Sequence, residues 1–201
     1  SLSADIIWTL YEDRSGILWA GTVNGGLSKL NPEMQRFSLY RNHPDDPNSL
    51  GFDVIGAFYE DPQGGLWVGT WGGGLNFFDR TTGKFTHYVN DPADPASLIE
   101  NTVSGMFDDG RGHLWLGTFA GLDRLDLATG KFTHFRHDAN DPASLINDSV
   151  FDIMPASEGP GGVDKVWVGT LGGLDLLDLD TGVFTHFQHD PDDPNSLPGN
   201  E

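Results

Sequence analysis

The feature that most constrains this sequence is an internal repeat with a period of roughly 48 residues. A tryptophan motif of the form LWxGT, with Val for Leu in the last copy, marks the units at Trp19, Trp67, Trp115 and Trp167. A Ser-Leu pair recurs in step with it at 49–50, 97–98, 144–145 and 196–197, and a fifth pair stands at 1–2. Two independent markers in the same phase indicate four tandem copies of one structural unit.

Each unit has the pattern of four short β-strands separated by turns. The first is an apolar run at 5–11, repeated at 53–59, 101–107 and 148–154, and the second is the LWxGT segment. Glycines typical of a hairpin follow, then a strand that begins Gly-Leu. A turn that contains Thr-Gly in the last three units leads to a final strand of the form FTHY or FTHF, which is RFSLY in the first unit. Four short strands in a unit of this length predict an all-β β-propeller with four blades of four antiparallel strands each.

The Ser-Leu pairs divide this single array into blades at about 1–48, 49–96, 97–143 and 144–195, with 196–201 as the start of a further repeat. In a propeller the first strand of each blade lines the central channel, and the fourth lies at the rim. We expect a slice of a longer array, whose two end faces must be covered. Closure into a four-bladed ring, pairing of two chains into an eight-bladed ring, and another oligomer are all compatible with the pattern. Of these, we favour pairing with a second copy of the chain.

The charge balance limits the partners that this chain can have. There are 30 acidic residues against 11 basic ones, which gives a formal net charge of −19. Nucleic acids and anionic membranes are disfavoured as partners because both attract basic surfaces. A solubilising acidic surface is the simplest interpretation, and cationic or divalent-metal partners are the alternative. The absence of Cys excludes disulfides and thiolate chemistry, and no segment approaches the 18 apolar residues of a membrane-spanning helix.

Residues that recur in every unit are predicted to build the fold. A side chain that every blade carries serves a need that every blade has, which is to bury its faces against neighbouring blades. We therefore assign the four repeated tryptophans to the core between blades. The same prediction applies to the recurring leucines and phenylalanines at Leu2, Leu50, Leu98, Leu145, Phe37, Phe85, Phe132 and Phe184.

The segments EDPQGGLWVGTWGGGLNFFDRTTGKFTHY and HDPDDPNSL closely resemble the two-component regulator propeller repeat. The resemblance covers all four units, although the fourth replaces the ED-x-x-G turn with the longer PASEGPGGVDK. It implies an extracytoplasmic, periplasmic input domain of a bacterial hybrid sensor kinase, where such repeats typically build seven-bladed propellers. It also implies ligand sensing or dimerisation rather than catalysis. The sequence contains no kinase or regulator segment, so we expect signalling output to lie outside this chain.

Candidate binding residues are those at which the copies differ. The hairpin after LWxGT carries Asn24, Trp71 and Phe119 in the first three units, and the first strand carries Trp8 and Asp152 at positions that vary. In a propeller these hairpin tips and the connections between blades share one face around the channel mouth. We expect a sugar or another flat ligand to stack there, and packing within the hairpin tip is the alternative.

The acidic connections and the histidines suggest structural roles. Asp45, Asp46, Asp91, Asp94, Asp138, Asp141, Asp190, Asp192 and Asp193 lie in these connections. Their spacing favours turns in which an Asp side chain bonds its own backbone, although clustered carboxylates leave calcium binding open. His87, His134 and His186 recur one per blade on the fourth strand, which does not favour a shared metal. We predict no metal site and no cofactor.

The leading hypothesis is a non-enzymatic propeller module that binds a ligand or partner at the channel mouth. No nucleophile motif or phosphate-binding loop is present, and the paired carboxylates belong to a repeated turn, so no catalytic residue is assigned. Other propellers do host enzymes, so a lyase or hydrolase acting on a glycan or small molecule is one alternative. A purely structural blade-assembly fragment is the other.

Overall fold

The computed structural model describes residues 4–31, 36–159 and 162–200, and these ranges contain sixteen β-strands in four sheets. The first sheet has β1 (Ile7–Glu12), β2 (Leu18–Thr22), β3 (Leu27–Asn31) and β4 (Arg36–Tyr40). The second has β5 (Ile55–Glu60), β6 (Leu66–Thr70), β7 (Leu75–Asp79) and β8 (Lys84–Tyr88). The third has β9 (Val103–Asp108), β10 (His113–Thr118), β11 (Gly121–Asp126) and β12 (Phe132–Phe135). The fourth has β13 (Val150–Gly159), β14 (Gly162–Thr170), β15 (Gly173–Asp178) and β16 (Phe184–Phe187).

Each sheet is an antiparallel meander whose four strands lie side by side in chain order. This arrangement confirms the predicted fold class, because a four-stranded meander is the blade of a β-propeller. The first strand begins later than predicted, at Ile7 rather than Asp5 and at Ile55 rather than Asp53. In the second blade the reason is visible, since the Asp53 side chain accepts a hydrogen bond from the Asn42 backbone in the preceding connection. No helix in the described ranges is long and apolar enough to cross a membrane.

The insertion in the fourth repeat lengthens a hairpin. β13 and β14 have ten and nine residues, whereas the corresponding strands of the other blades have five or six. The segment that replaces the ED-x-x-G turn therefore lengthens the two strands, because most of the added residues pair across them. Register shifts between Pro155 and Glu158 mark the place where the extra residues enter the ladder.

The chain forms two compact units, each with its own core. The first comprises residues 1–90 and 101–103, and the second comprises residues 91–100 and 104–201. Trp19, Leu50 and Ile55 are among the fully buried side chains of the first core. Leu145 and Val150 are fully buried in the second. In both units the core combines the LWxGT strand of one blade with the Ser-Leu connection and first strand of the next.

All but two of the repeated residues that the structure describes meet the core prediction. Trp19, Trp67 and Trp115 are buried, as are Leu50, Leu98, Leu145, Phe85, Phe132 and Phe184. Trp167 and Phe37 are only partly buried, so the core assignment was wrong for them, and Leu2 lies outside the described residues. Trp167 packs edge-on against Phe187, with ring centroids 5.4 Å apart.

In the first three repeats an Asp in the acidic turn precedes the tryptophan of LWxGT by six residues, and two of these turns show why. Asp13 Oδ1 accepts hydrogen bonds from the backbone of Ser15 and Ile17, and its Oδ2 accepts one of 2.8 Å from Trp19 Nε1. Asp109 and Trp115 repeat this bond at 3.1 Å in the second unit. The carboxylate therefore closes the turn and satisfies a buried indole N–H at the same time.

In the first unit Asp13 also belongs to a buried ion-pair network that joins two blades. Arg80 approaches Asp13 at 2.8 Å and Glu60 at 3.1 Å, and its guanidinium lies 5.6 Å from the centre of the Trp19 ring. Burial by itself raises the pKa of Asp13, but the hydrogen bonds from Ser15 and Trp19 outweigh that effect and lower the pKa to about 2. Asp13 is thus held ionised between the first and second blades.

Replacing Asp13 with Asn tests this network. An amide keeps the bonds to the backbone but turns an N–H₂ group toward Trp19 and Arg80, so we expect a loss of about 2 kcal/mol at pH 7. The stabilisation from ionised Asp13 is present above pH 3.8 and is lost as the pH falls toward 2, so the difference between variant and wild type should narrow in acid. Urea unfolding followed by tryptophan fluorescence at pH 7 and pH 2.5 measures both effects.

Asp61→Asn is the matched control. Asp61 occupies the same place in the second blade, and its Oδ1 accepts the equivalent backbone bonds from Gln63 and Gly65. No hydrogen bond joins its side chain to Trp67 Nε1 in the described part of the chain. We expect a cost below about 1 kcal/mol. Equal losses for the two variants would show that the turn, rather than the network, carries the stability.

Candidate functional site

Two tryptophans from different blades meet at the surface of the first unit. Trp8 lies on β1 and Trp71 directly follows β6, and their ring centroids are 4.8 Å apart with an angle of 65° between the planes. Trp8 is 53% exposed and Trp71 is partly exposed. The structure therefore brings together two of the residues that the sequence singled out and leaves aromatic surface open to solvent.

The backbone around Trp71 and a glycine opposite it hold the indole in place. Trp71 N–H donates to Val54 O at 2.9 Å, and the residue forms an isolated β-bridge with Thr102. Gly56 makes room for the ring, because a Cβ atom at that position would lie 2.5 Å from Trp71 Nε1. The other blades have Trp, Ser or Phe at the position of Gly56 on the first strand. The absence of a side chain at Gly56 leaves room for the bulky Trp71 on the adjacent hairpin.

The second unit has a smaller aromatic pair of the same kind. Phe119, which follows β10, lies 5.2 Å from Phe151 on β13, and both rings are exposed. Asp152 comes next on β13 and is also exposed, with its Oδ1 accepting a hydrogen bond from the backbone N–H of Ile153. Phe151 aligns with Trp8 in the repeat but was not among the predicted site residues. Its alignment with Trp8 is the signal that could have found it.

Asn24 has a local structural reason for its identity. It occupies the tip of the β2–β3 hairpin with φ at 61°, the only positive φ of a non-glycine residue in the described ranges. Asn tolerates this left-handed conformation better than most residues, so the turn alone accounts for it. Its side chain is exposed, and a role in binding stays a prediction.

A group that sequence reasoning did not identify is a pair of histidine–aspartate clamps in the second unit. His134 Nδ1 lies 2.6 Å from Asp123 Oδ1, and His134 Nε2 lies 2.9 Å from Pro95 O. His186 repeats the arrangement with Asp175 at 2.5 Å and Pro142 O at 2.9 Å. Each clamp ties the third and fourth strands of a blade to the connection that precedes that blade. The recurring histidines are therefore structural, as predicted, but their buried partners were missed.

The geometry of the His186–Asp175 clamp favours the protonated imidazolium of His186. Both ring nitrogens of His186 face oxygen acceptors, so each nitrogen needs a proton to form its bond. Burial by itself opposes the charge, but the hydrogen bond and negative charge of Asp175 outweigh it and raise the pKa of His186. Burial also raises the pKa of Asp175. Because the pKa values of His186 and Asp175 are both raised, the folded pair holds its proton more tightly than the unfolded chain does.

The second blade has the amide of Asn76 where the third and fourth blades have a buried carboxylate. Asn76 Oδ1 accepts one hydrogen bond from Gly51 N–H at 2.9 Å and faces His87 Nδ1 at 2.8 Å. The Asn76 amide nitrogen donates to backbone carbonyls of its own hairpin, including Val68 O. A proton on His87 Nδ1 satisfies this arrangement, because the Asn76 oxygen can then accept it in a hydrogen bond.

The acidic connections use their carboxylates to shape themselves. Asp46, Asp94, Asp141 and Asp193 each accept a hydrogen bond from the backbone N–H two residues later. The bond from the Asn48 backbone lowers the pKa of Asp46, as expected for a carboxylate that serves in a turn. This observation confirms the turn chemistry. In the ranges that the structure describes, no group of three or more His, Asp or Glu side chains is arranged to hold a metal ion.

The raised pKa of His186 predicts that the second unit loses stability as the pH rises. The contribution of His186 is fully present below about pH 6.5 and is lost as the pH rises through its raised pKa, at a cost on the order of 1 kcal/mol. Thermal unfolding between pH 6 and pH 9 and NMR titration of His186 measure these effects.

Two variants give this prediction its controls. Asp175→Asn places in the fourth blade the amide that the second blade uses at Asn76, and it should flatten the decline above pH 6.5. His87→Gln removes the equivalent histidine of the first unit, whose partner is the Asn76 amide rather than a carboxylate, and should leave the pH dependence of the second unit unchanged. A wild-type profile that is flat from pH 6 to pH 9 would contradict the assignment of a retained proton.

Three of the four repeats match a known protein-family model. The model described as "Two component regulator propeller" matches residues 1–24, 49–72 and 97–120, which are the first halves of three of the four repeats. In each match the first strand, the acidic turn and the LWxGT strand are included. No sequence among the curated proteins matches the chain.

Several solved structures resemble the chain in fold. The extracellular domain of the hybrid two-component system BT3049 from B. thetaiotaomicron is 30% identical with a TM-score of 0.79, over 93% of this chain and 25% of that one. The corresponding domain of BT4673 from the same organism is 22% identical with a TM-score of 0.74, over 97% of this chain and 24% of that one. PorZ, a surface component of the type IX secretion system of Porphyromonas gingivalis, is 20% identical with a TM-score of 0.68, over 96% and 28%. The chain thus spans about a quarter of the length of these structures.

Proposed function

We propose that this chain, three of whose repeats match the two-component regulator propeller model, is a non-enzymatic binding module from the extracytoplasmic input region of a bacterial signalling protein. Its similarity to extracellular domains of hybrid two-component systems supports this location. The bound species is a small molecule or glycan with a flat apolar face. The candidate sites are two exposed aromatic pairs, Trp8–Trp71 in the first unit and Phe119–Phe151 in the second.

The observation that carries this proposal is the exposed Trp8–Trp71 pair. Leaving a large apolar side chain such as Trp8 in water forgoes the stabilisation that its burial would bring, on the order of 2 kcal/mol. The fold does not require an aromatic residue there, because the second blade has Gly56 and the third has Ser104 at the position of Trp8. An aromatic pair that the fold does not need and that water does not favour is a surface suited to stacking with a ligand.

The use of the histidines supports a binding role over catalysis. Ring nitrogens of His87, His113, His134, His137, His186 and His189 lie within hydrogen-bond distance of carboxylate, amide or carbonyl oxygens of the protein. Histidines held in turns, clamps and connections act as structural links. A general base for hydrolysis or elimination needs a free lone pair facing a substrate.

Binding measurements on tryptophan variants test this function. A screen of neutral glycans, acidic glycans and planar small molecules against the wild-type chain should identify a binder. Trp71→Ala and Trp8→Ala should each weaken binding at least about tenfold, which corresponds to about 1.4 kcal/mol. Isothermal titration calorimetry gives the affinities, and quenching of tryptophan fluorescence reports whether the ligand contacts an indole.

Phe187→Ala is the control for nonspecific loss of aromatic surface. Phe187 is also exposed, but it lies on the fourth strand of its blade, at the sheet edge opposite the first strand. Its removal should leave binding by the Trp8–Trp71 pair unchanged. A ligand whose affinity survives Trp8→Ala, Trp71→Ala and Phe119→Ala would overturn the proposed site, and a chain that binds no member of the screen would overturn the proposed function.

A further inference from the structure

The joint between successive blades depends on one glycine and one β-branched residue. In the first unit, Gly21 on β2 faces Ile55 at the start of β5, and a Cβ atom on Gly21 would lie 2.7 Å from Ile55 Cβ. In the second unit, Gly117 on β10 faces Val150 at the start of β13, with the corresponding distance to Val150 Cγ1 at 2.8 Å. The glycine of LWxGT thus provides the recess into which the next blade inserts a branched side chain.

The last blade has the recess without the inserted residue. Gly169 is the equivalent glycine on β14, and a Cβ atom there would meet only Asp152 O, at 3.8 Å. Ile7 is the equivalent branched residue on the first blade, because it pairs with Thr22 just as Val150 pairs with Thr170. Ile7 is 40% exposed, whereas Ile55 and Val150 are fully buried.

The connection after the last blade has the same internal bonds as the earlier connections that receive a blade. His189 N–H donates to Asn200 Oδ1 at 2.6 Å, as Asn42 N–H does to Asp53 Oδ1 in the first connection. Asp190 N–H donates to Ser196 Oγ at 2.8 Å, in the same way as His43 with Ser49. The surface that would receive a blade is therefore already formed.

This last connection borders an open cavity of about 430 Å³ that Leu174, Phe187 and Leu197 help to line. Leu197 is only partly buried, whereas the equivalent Leu50 and Leu145 are fully buried beneath the blades that follow them. The apolar floor of the joint is thus present at the last blade and lacks the covering that the earlier joints have.

A difference in hydrogen-bonding chemistry indicates which blade fits. After Ser-Leu, the first three connections carry Gly51, Ile99 and Ile146, whose N–H groups donate to Asn76, Asp123 and Asp175 of the following blade. The last connection has Pro198 at that position, and proline has no N–H to donate.

The first blade is the one whose side chains do not need that donor. It carries Ser28 where the other blades have Asn or Asp, and Leu39 where they have the clamp histidine. A blade with a buried carboxylate at this position would leave the carboxylate without its backbone donor at Pro198, at a cost of about 1–3 kcal/mol. Ser28 and Leu39 avoid that cost.

We propose that the last blade of one copy of this chain receives the first blade of a second copy, with Ile7 seated on Gly169 and Leu197 covered by the incoming blade. The contact is heterologous, so it leaves no open joint only when the copies close a ring, and a closed pair of copies contains eight blades. The corresponding backbone contacts are Asn195 O with Phe37 N–H and Gly173 N–H with Asp5 O. They are equivalent to the observed bonds between Asn48 and Phe85 and between Gly26 and Asp53.

Light scattering coupled to size exclusion tests the proposal. We expect a dimer with a Kd of about 1 μM or lower. At a chain concentration of about 100 μM the measured mass should therefore be twice the 21.9 kDa of one chain. Ile7→Asp puts a charge into the recess, and Gly169→Val fills the recess, so each variant alone should be monomeric. Both positions are open in the single chain, so circular dichroism and thermal unfolding should show wild-type folding.

Mixing the two variants separates a blocked joint from a misfolded chain. The Ile7→Asp copy keeps an intact Gly169, and the Gly169→Val copy keeps an intact Ile7, so one sound joint forms and a weaker dimer should return. Leu127→Asp, at an exposed apolar residue in the turn after β11, should leave the dimer intact. A wild-type chain that stays monomeric, or a dimer that persists in both joint variants, would overturn the proposal.

Discussion

A four-stranded sheet that is apolar on both faces is stable only when another layer covers each face, and this requirement organises the whole protein. The covering is supplied by the next blade, through contact between a strand-two glycine and a strand-one β-branched residue. Gly21 with Ile55 and Gly117 with Val150 show how close the backbones come when no Cβ intervenes. The Asp13–Trp19 bond and the Ser-Leu connection then fix the position of the joint around that contact.

The connections between blades do more than join the fourth strand of one blade to the first strand of the next. Their aspartates bond their own backbone, their leucines fill the core, and their carbonyl groups bind the fourth strand of the following blade. In the second unit a histidine and a buried aspartate add a charged clamp to the same place. One segment therefore supplies apolar packing, backbone pairing and a proton-dependent link. Because the connection has all of these roles, its Asp-Pro-x-Ser-Leu pattern is as regular as the tryptophan motif.

Sequence reasoning about the site succeeded where a residue departs from the repeat and failed where two regular residues act together. Trp8 and Trp71 stood out as unlike their counterparts in other blades, and the structure shows them in contact. The Asp123–His134 and Asp175–His186 pairs recur with the same separation of eleven residues, and the second blade has Asn76 with His87. That spacing was available in the sequence. The contact could not be inferred from that spacing, because the two residues lie on adjacent strands and their alignment depends on how the strands pair.

The sequence by itself determined the number of blades, the four strands in each, and which residues recur to build them, because periodic apolar positions and turn residues act locally. Tertiary structure decided which of those residues are covered. Trp167 has the same motif as Trp19, yet only Trp19 is fully buried, because burial depends on the blade packed beside it. The exposed Ile7 and the unfilled recess at Gly169 have the same cause: a repeat specifies both halves of a joint, but only neighbours in space complete it.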